Sequence, residues 1–271
     1  MDKRINDIII ECAETIVLPR WRNLAEHEVQ SKTGPQDLVT IADIEAEYFL
    51  QDQIVKLIPD ALVAGEESIS RGEYKISDLD AHRDRPVFIV DPIDGTNNFV
   101  KGSPVFAIMV AMLVNEECQA AWIYDPVAEA MTEAHKGEGA FTNGQPISVS
   151  AATSDDQLSG YTSLRYMKRD MQKHFLANSQ ALNMRDSISC AAHMYLDVAH
   201  GREDFTLFTR LKPWDHLPGV LICQEAGAYA AKWDKAPYTI MNAKGAGVLT
   251  ANSEKTWNSL HNMLISNLDI S

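Results

Sequence analysis

No stretch of this sequence approaches the roughly 20 consecutive apolar residues that a membrane-spanning helix needs. The opening residues hold only the run Ile8-Ile9-Ile10 between charges, with no secretory h-region and no cleavage pattern. Basic charge is also short: 24 Lys and Arg stand against 38 Asp and Glu, a formal net charge of −14. That balance argues against nonspecific attraction to nucleic acid or to an anionic membrane. Cysteine is sparse. Cys12, Cys118, Cys190 and Cys223 have neither metal-ligand nor redox spacing, the usage of free thiols in a reducing compartment. The 8 histidines show no ligand spacing, and no repeat, low-complexity run or long linker interrupts the chain. Together these absences predict a cytoplasmic protein that binds neither membrane nor nucleic acid directly.

What is present is ordinary globular material, 271 residues of which 45% are hydrophobic, enough for one large domain or two halves sharing a core. Ile5, Ile8, Ile9, Cys12, Ile16 and Val17 recur at helical spacing and predict an opening helix that Pro19 ends or kinks. Residues 26–35 are polar and contain Gly34-Pro35, a loop signal. A helical pattern follows Asp43 and stops at Pro59; 61–64 reads as a short strand and 70–85 as a charged surface excursion. Strands are expected over 86–90, 105–114, 118–124 and 130–135, then a hairpin turn at Asn143-Gly144. Consecutive strands with short turns imply an antiparallel sheet. Beyond about Ser154 the texture alternates. Strands are expected at 160–162, 204–208, 228–233 and 247–250, and helices at 167–181, 189–199, 216–225 and from the candidate N-cap Ser253. The expectation is an α/β (α+β) chain: an N-terminal half, 1–150, with an antiparallel sheet and helices, and a smaller α/β half, 151–271, packed closely against it.

One segment stands out. Asp91-Pro92-Ile93-Asp94-Gly95-Thr96 follows the apolar run 86–90 directly. Two carboxylates three residues apart offer oxygen ligands to a hard divalent cation, and the Gly-Thr pair offers a tight turn with outward amides for phosphate. Three other carboxylates complete a possible site: Glu66 in Gly-Glu-Glu-Ser, Asp43 at a helix start, and Asp215 after Lys212-Pro213-Trp214. Each also has a plain explanation, Asp43 and Asp215 as helix N-caps and Glu66 as a surface group. His216 reads as an exposed residue at the start of a helix, and Trp214 as a packing residue.

Taken together, the words DLVTIAD (37–43), GEES (65–68), VDPIDGTNNF (90–99) and WDHLPGVLICQEAGA (214–228) resemble the inositol monophosphatase family. They stand in the family order, and the resemblance spans nearly the whole chain. It implies a layered αβαβ architecture and a Mg²⁺-dependent, Li⁺-sensitive phosphoric monoester hydrolase with two or three Mg²⁺ per site. By resemblance, Glu66, Asp91 and the Ile93 carbonyl are ligands of one ion, and Asp91, Asp94 and Asp215 of a second. A third, weaker ion would lean on Glu66. Thr96 and Asp43 resemble the pair that orients and deprotonates the attacking water, with Glu66 beside them. The amides of Gly95 and Thr96 would hold the phosphate. A homodimer is implied as well.

The resemblance implies a small phosphorylated metabolite as substrate, like inositol 1-phosphate. Asp94, Gly95, Thr96, Ala191 and Asp215 match substrate-contacting positions, and Lys32 matches a lysine in a mobile loop. Family members acting on inositol phosphates carry a glutamate seven residues before the aspartate of the Trp-Asp pair; here that position is Phe208. Ser163 and Arg165 fall near Ala191 in this reading, and Arg210 and Lys212 are either surface cations or contacts for a second anionic group. Histidinol phosphate, fructose 1,6-bisphosphate and 3′-phosphoadenosine 5′-phosphate are therefore rival substrates. A rival of another kind is a regulatory protein that keeps the fold and binds transcription or ribosome machinery.

Overall fold

The computed structural model describes residues 3–32, 34, 38–79, 84–150, 157–162, 164–245 and 247–268, with the side chains of 78, 79 and 165 outside the description. The chain opens with α1 (Lys3–Cys12), passes through a π-helical turn at Ala13–Val17 and closes in α2 (Leu18–Arg20). Pro19 has no N–H for the carbonyl four residues earlier, so the regular ladder is interrupted before it and the helix ends one residue after it. The loop expected over 26–35 contains β1 (Val29–Ser31), which pairs antiparallel with β2 (Leu38–Thr40). In α3 (Ile41–Leu57) the cap is Thr40, whose hydroxyl accepts from the Ala42 amide. Asp43 is the third residue of the helix and closes a capping box, so the expectation of Asp43 as N-cap is corrected.

Next come β3 (Leu62–Gly65), α4 (Glu66–Ser70), α5 (Ile76–Leu79), β4 (Val87–Asp94) and α6 (Thr96–Val100). They are followed by β5 (Ala107–Val114), β6 (Glu117–Asp125), β7 (Ala130–His135), β8 (Gly139–Thr142) and β9 (Gln145–Pro146). The seven strands β3 to β9 lie in chain order in one sheet. Every neighbouring pair is antiparallel except β3 and β4, which run parallel. The long crossover through α4 and α5 permits that exception, since a parallel pair cannot be joined by a tight turn.

The rest of the chain builds β10 (Ser159–Thr162), α7 (Arg169–Asn178), β11 (Asn183–Asp186), α8 (Ala191–Ala199) and β12 (Phe205–Phe208). It ends in α9 (Pro213–Glu225), β13 (Tyr229–Lys232), β14 (Val248–Ala251) and α10 (Glu254–Leu264). Ser253 caps α10 as expected, accepting from the Thr256 amide. The second sheet has five strands in the order β11-β10-β12-β14-β13. Its edge strand β11 was not foreseen: Asn-Met-Arg-Asp is mostly exposed and carries no apolar alternation to mark it. Helix α9 starts three residues earlier than expected, at Pro213, whose missing N–H costs nothing in the first helical position.

Side chains alternate along the central strands, as both-face burial requires. Phe88, Val90, Ile108, Val110 and Trp122 meet α1 and α3 on one side of the large sheet. Val87, Ile89, Met109, Ala111 and Ile123 meet α8 and α9 on the other, where Phe208 and Val248 of the second sheet also arrive. Beyond the second sheet, Phe205, Leu207, Leu249 and Ala251 pack on α7 and α10 through Phe175, Trp257 and Leu260. The layers are thus α, β, α, β, with α7 and α10 adding an outer layer. No helix among the described residues is long and apolar enough to cross a membrane.

Layer contact between α8 and α9 depends on Gly219. A Cβ there would stand 2.1 Å from Cδ2 of Tyr195, which is fully buried. Gly219→Ala is expected to destabilise the fold by about 1–3 kcal/mol in urea unfolding, as overpacking does. Gly34→Ala, where nothing lies within 4 Å of the added carbon, is expected to stay within about 0.5 kcal/mol of the parent.

Candidate active site

The strand expected to stop at Val90 continues to Asp94, and its pairing with β5 shifts register between Asp91 and Asp94. Pro92 cannot donate to a ladder, and a bulge accommodates it. The bulge sends Asp91 and Asp94 to the strand end with both carboxylates buried. Gly95 then takes a left-handed φ of 90° and starts α6; a Cβ on it would meet the Val105 carbonyl oxygen at 2.9 Å.

Three further elements bring their carboxylates to this end. Glu66 is the first residue of α4, directly after β3, which lies beside β4. Asp215 is the third residue of α9. One ligand oxygen each from Glu66, Asp91 and Asp215 lie within 4.8 Å of one another. Asp43 arrives from the first turn of α3. Thr40 anchors its Oδ2 through the amide at 2.8 Å and the hydroxyl at 2.6 Å. That leaves Oδ1 to accept from the Thr96 hydroxyl at 3.3 Å, and Thr96 also reaches the Ile93 carbonyl at 3.1 Å. Asp94 is fixed from another layer: its Oδ2 accepts from the Ala192 amide at 2.6 Å in the first turn of α8.

Glu66, Asp91, Ile93, Asp94 and Asp215 border one cavity of about 440 Å³. Gly95, Thr96, Ala191, Phe208, Arg210 and Lys212 line it, as do Tyr166, Asp186, Ser187 and Thr209, which had not been singled out. Ser163 lies outside the described residues, as does the side chain of Arg165. Phe208 packs its ring against Tyr195 and His216, with centroids 5.0 and 4.7 Å away. The expectation of an exposed His216 is corrected. It is 1% exposed, accepts from the Tyr195 hydroxyl at Nδ1 (3.1 Å) and donates from Nε2 to the Arg210 carbonyl (2.9 Å). Burial holds its pKa down at about 4, so the ring is a neutral strut behind the Asp215 turn. It is a core residue because Pro213 begins the helix early and turns position 216 inward.

Lysines also enter the site. Nζ of Lys32 lies 3.0 Å from Glu66 Oε1 and 2.6 Å from Glu67 Oε1, and Nζ of Lys212 lies 2.9 Å from Glu66 Oε1. Lys212 is therefore no surface cation. Glu47, missed in the sequence, accepts from the amides of Glu67 and Ser68 at 2.7 Å each and fixes the start of α4. Its signal was present, a charged residue in the apolar stripe of Ala46, Leu50 and Ile54 on α3.

The electrostatics are lopsided. Burial favours protonation of Glu66, but Lys212 and Lys32 outweigh it and hold its pKa below the ordinary value. Asp91 has no such help: burial, then the charges of Glu66, Asp94, Asp215 and Asp43, push it well above the usual range. Asp215 is raised too, by burial and then Glu66, with Lys212 opposing. Burial also lifts Asp43 and Asp94 to about 6 each, against the bonds from Thr40 and Ala192. A cluster of withdrawn carboxylates that repel one another fits a bound divalent cation, which would relieve both the burial and the repulsion.

Stability should report this directly. Carboxylates with raised folded-state pKa values bind protons more tightly folded than unfolded, so their contribution is complete at low pH and is lost as pH rises. Glu67, raised by burial to about 7, sets the interval from about pH 6 to about pH 8, and Asp91 and Asp215 are raised in the same direction. His216 opposes them only below its unfolded value of 6.5. In a chelator the melting temperature is expected to fall over that interval, and excess Mg²⁺ to flatten the slope; differential scanning calorimetry checks both.

The chain matches the profile of the Inositol monophosphatase family over residues 6–269. It is 35% identical over 209 residues to a Thermotoga maritima protein named fructose-1,6-bisphosphatase/inositol-1-monophosphatase, with 73% of each chain covered. To inositol monophosphatase 1 of Mus musculus it is 31% identical over 235 residues, covering 84% of this chain and 82% of the other. Among solved structures, a Thermotoga maritima IMPase superposes with a TM-score of 0.81 at 28% identity, covering 97% of both chains. Family profile, relatives and fold agree with the carboxylate-lined cavity, and the chain belongs to the inositol monophosphatase family of phosphoric monoester hydrolases.

Proposed function

We propose that this enzyme hydrolyses a small phosphomonoester of the inositol 1-phosphate type with Mg²⁺ held by Glu66, Asp91, the Ile93 carbonyl, Asp94 and Asp215. The observation that carries the reading is the convergence of Glu66, Asp91 and Asp215 oxygens within 4.8 Å, next to the Thr96–Asp43 pair. Magnesium bound there supplies Lewis acidity, lowering the pKa of a water and neutralising charge on the phosphoryl oxygens. Little else is needed at phosphorus, since positioning and charge neutralisation dominate phosphoryl transfer.

The protein's own residues do the rest. Thr96 Oγ1 orients the attacking water and passes its proton toward Asp43 Oδ1. Asp43 suits that role because burial brings its pKa to about 6, near the working pH of a general base. Oδ2, tied to Thr40, keeps the other oxygen aimed. The amides of Gly95 and Thr96 hold the phosphate, and Ala191 leaves room for the substrate body. The Phe208 wall offers an apolar face, while Asp186 and Ser187 supply hydrogen-bonding groups for a hydroxylated ring. The names of the mouse and Thermotoga maritima relatives support a polyol or sugar phosphate over the other rivals. The same reading includes a homodimer, Li⁺ inhibition, a cytoplasmic location, and a division of labour in which residues 1–150 hold most of the ligands and residues 151–271 hold Asp215 and the pocket.

Phosphate release from inositol 1-phosphate, histidinol phosphate, fructose 1,6-bisphosphate and 3′-phosphoadenosine 5′-phosphate tests the proposal. Inositol 1-phosphate is expected to turn over best, with Mg²⁺ required and EDTA abolishing the rate. No Mg²⁺-dependent turnover of any of the four would overturn the reading. Asp91→Asn is expected to lower kcat on the order of 10³-fold or more with an unchanged circular dichroism spectrum; retained activity would contradict its place among the ligands.

A further inference from the structure

Lysine ammonium groups pair with the carboxylate cluster at Glu66. Lys32 and Lys212 both close on Glu66 Oε1, at 3.0 and 2.9 Å. Among the described residues, no lysine comes within ion-pairing distance of Asp91, Asp94 or Asp215. The two lysines come from distant parts of the chain, one from the loop after β1 and the other from the residue that caps α9, three positions before Asp215. Neither is a wandering surface group: their side chains are 13% and 20% exposed. Trp214 helps to hold Lys212, with its ring centroid 5.1 Å from the ammonium nitrogen. Withdrawing two long cations from water is costly unless an anion repays it; both share Glu66 Oε1, and Lys32 also reaches Glu67 Oε1 at 2.6 Å.

Two ammonium groups carry the charge of one divalent ion. We propose that Lys32 and Lys212 together are a tethered substitute for one divalent cation at the Glu66 end of the cluster, so that this enzyme loads two ions per site and no third. The proposal rests on the metal-dependent reading above. Glu66 Oε1 is spent on the lysines, and Oε2 is left for an ion shared with Asp91. A further ion leaning on Glu66 would have to displace an ammonium group or stand against its repulsion. Lys212 is accordingly assigned to tuning the metal site and not to gripping a second anionic group of the substrate.

The test is the number of Mn²⁺ ions bound per chain, from the electron paramagnetic resonance of the free ion, with thermal shift as a second readout. The proteins compared are the parent, Lys32→Gln, Lys212→Gln, the double variant and the charge-preserving Lys212→Arg. The parent and Lys212→Arg are expected to bind two ions. The double variant is expected to bind three, and its first ions to bind about tenfold more tightly, as follows from removing adjacent like charge. Three ions in the parent, or two in the double variant with unchanged affinity, would overturn the proposal while leaving the metal-dependent reading intact. No Mn²⁺ bound to the parent would overturn both.

Discussion

Repulsion among buried carboxylates is the constraint on which the rest of the structure depends. Asp43 and Asp91 are almost fully buried and Asp94 nearly so; burial, and then the charges of Glu66, Asp94 and Asp215, raise Asp91 well above the ordinary carboxylate range. Left alone, such a cluster would shed its charge or splay apart. Asp43, Asp94 and Glu66 are each fastened through bonds that spare one oxygen. Thr40 takes one oxygen of Asp43, the amide of Ala192 takes one of Asp94, and two ammonium groups share one of Glu66. The other oxygens are left for cations and for the Thr96 hydroxyl.

The layered fold is the means of delivery. The large sheet supplies Asp91 and Asp94 at a bulge on β4, and its parallel edge strand β3 places Glu66 beside them. Helix α3 on one face brings Asp43, and α9 on the other brings Asp215. Glu47 and His216 are the struts of this delivery. Glu47 pins the first turn of α4 by two amides, and His216 ties the turn before Asp215 to Tyr195 on α8. Gly65 shows how tight this is, since a Cβ on it would lie 2.1 Å from the Glu47 carboxylate.

Much of this was legible in the sequence because the site is written in short local words. Asp91 to Thr96 signals its own turn, and Glu66, Asp43 and Asp215 each sit where a strand ends or a helix begins. Strands β3 to β7 of the first sheet were readable from apolar, β-branched runs, and Asn143-Gly144 marked the turn between β8 and β9, which were not themselves expected. Long-range pairings were not readable. Nothing local says that Lys212 turns to Glu66 or that Thr40, and not Asp43, caps α3. Position 216 looked exposed because Pro218 masks the true start of α9, and β11 lacks the alternation that marks a strand. The Phe208 position was legible as a departure from the inositol-phosphate pattern, but its packing on Tyr195 and His216 needed the fold.

The carboxylate cluster accounts for the chemistry only if cations sit inside it. Anomalous X-ray scattering from crystals soaked in Mn²⁺ with inorganic phosphate tests this most directly. The account predicts Mn²⁺ peaks bonded to Asp91, one shared with Glu66 and one with Asp94 and Asp215, and phosphate next to the Gly95 and Thr96 amides. An Asp91 carboxylate without a cation, in crystals of protein that still releases phosphate, would contradict it.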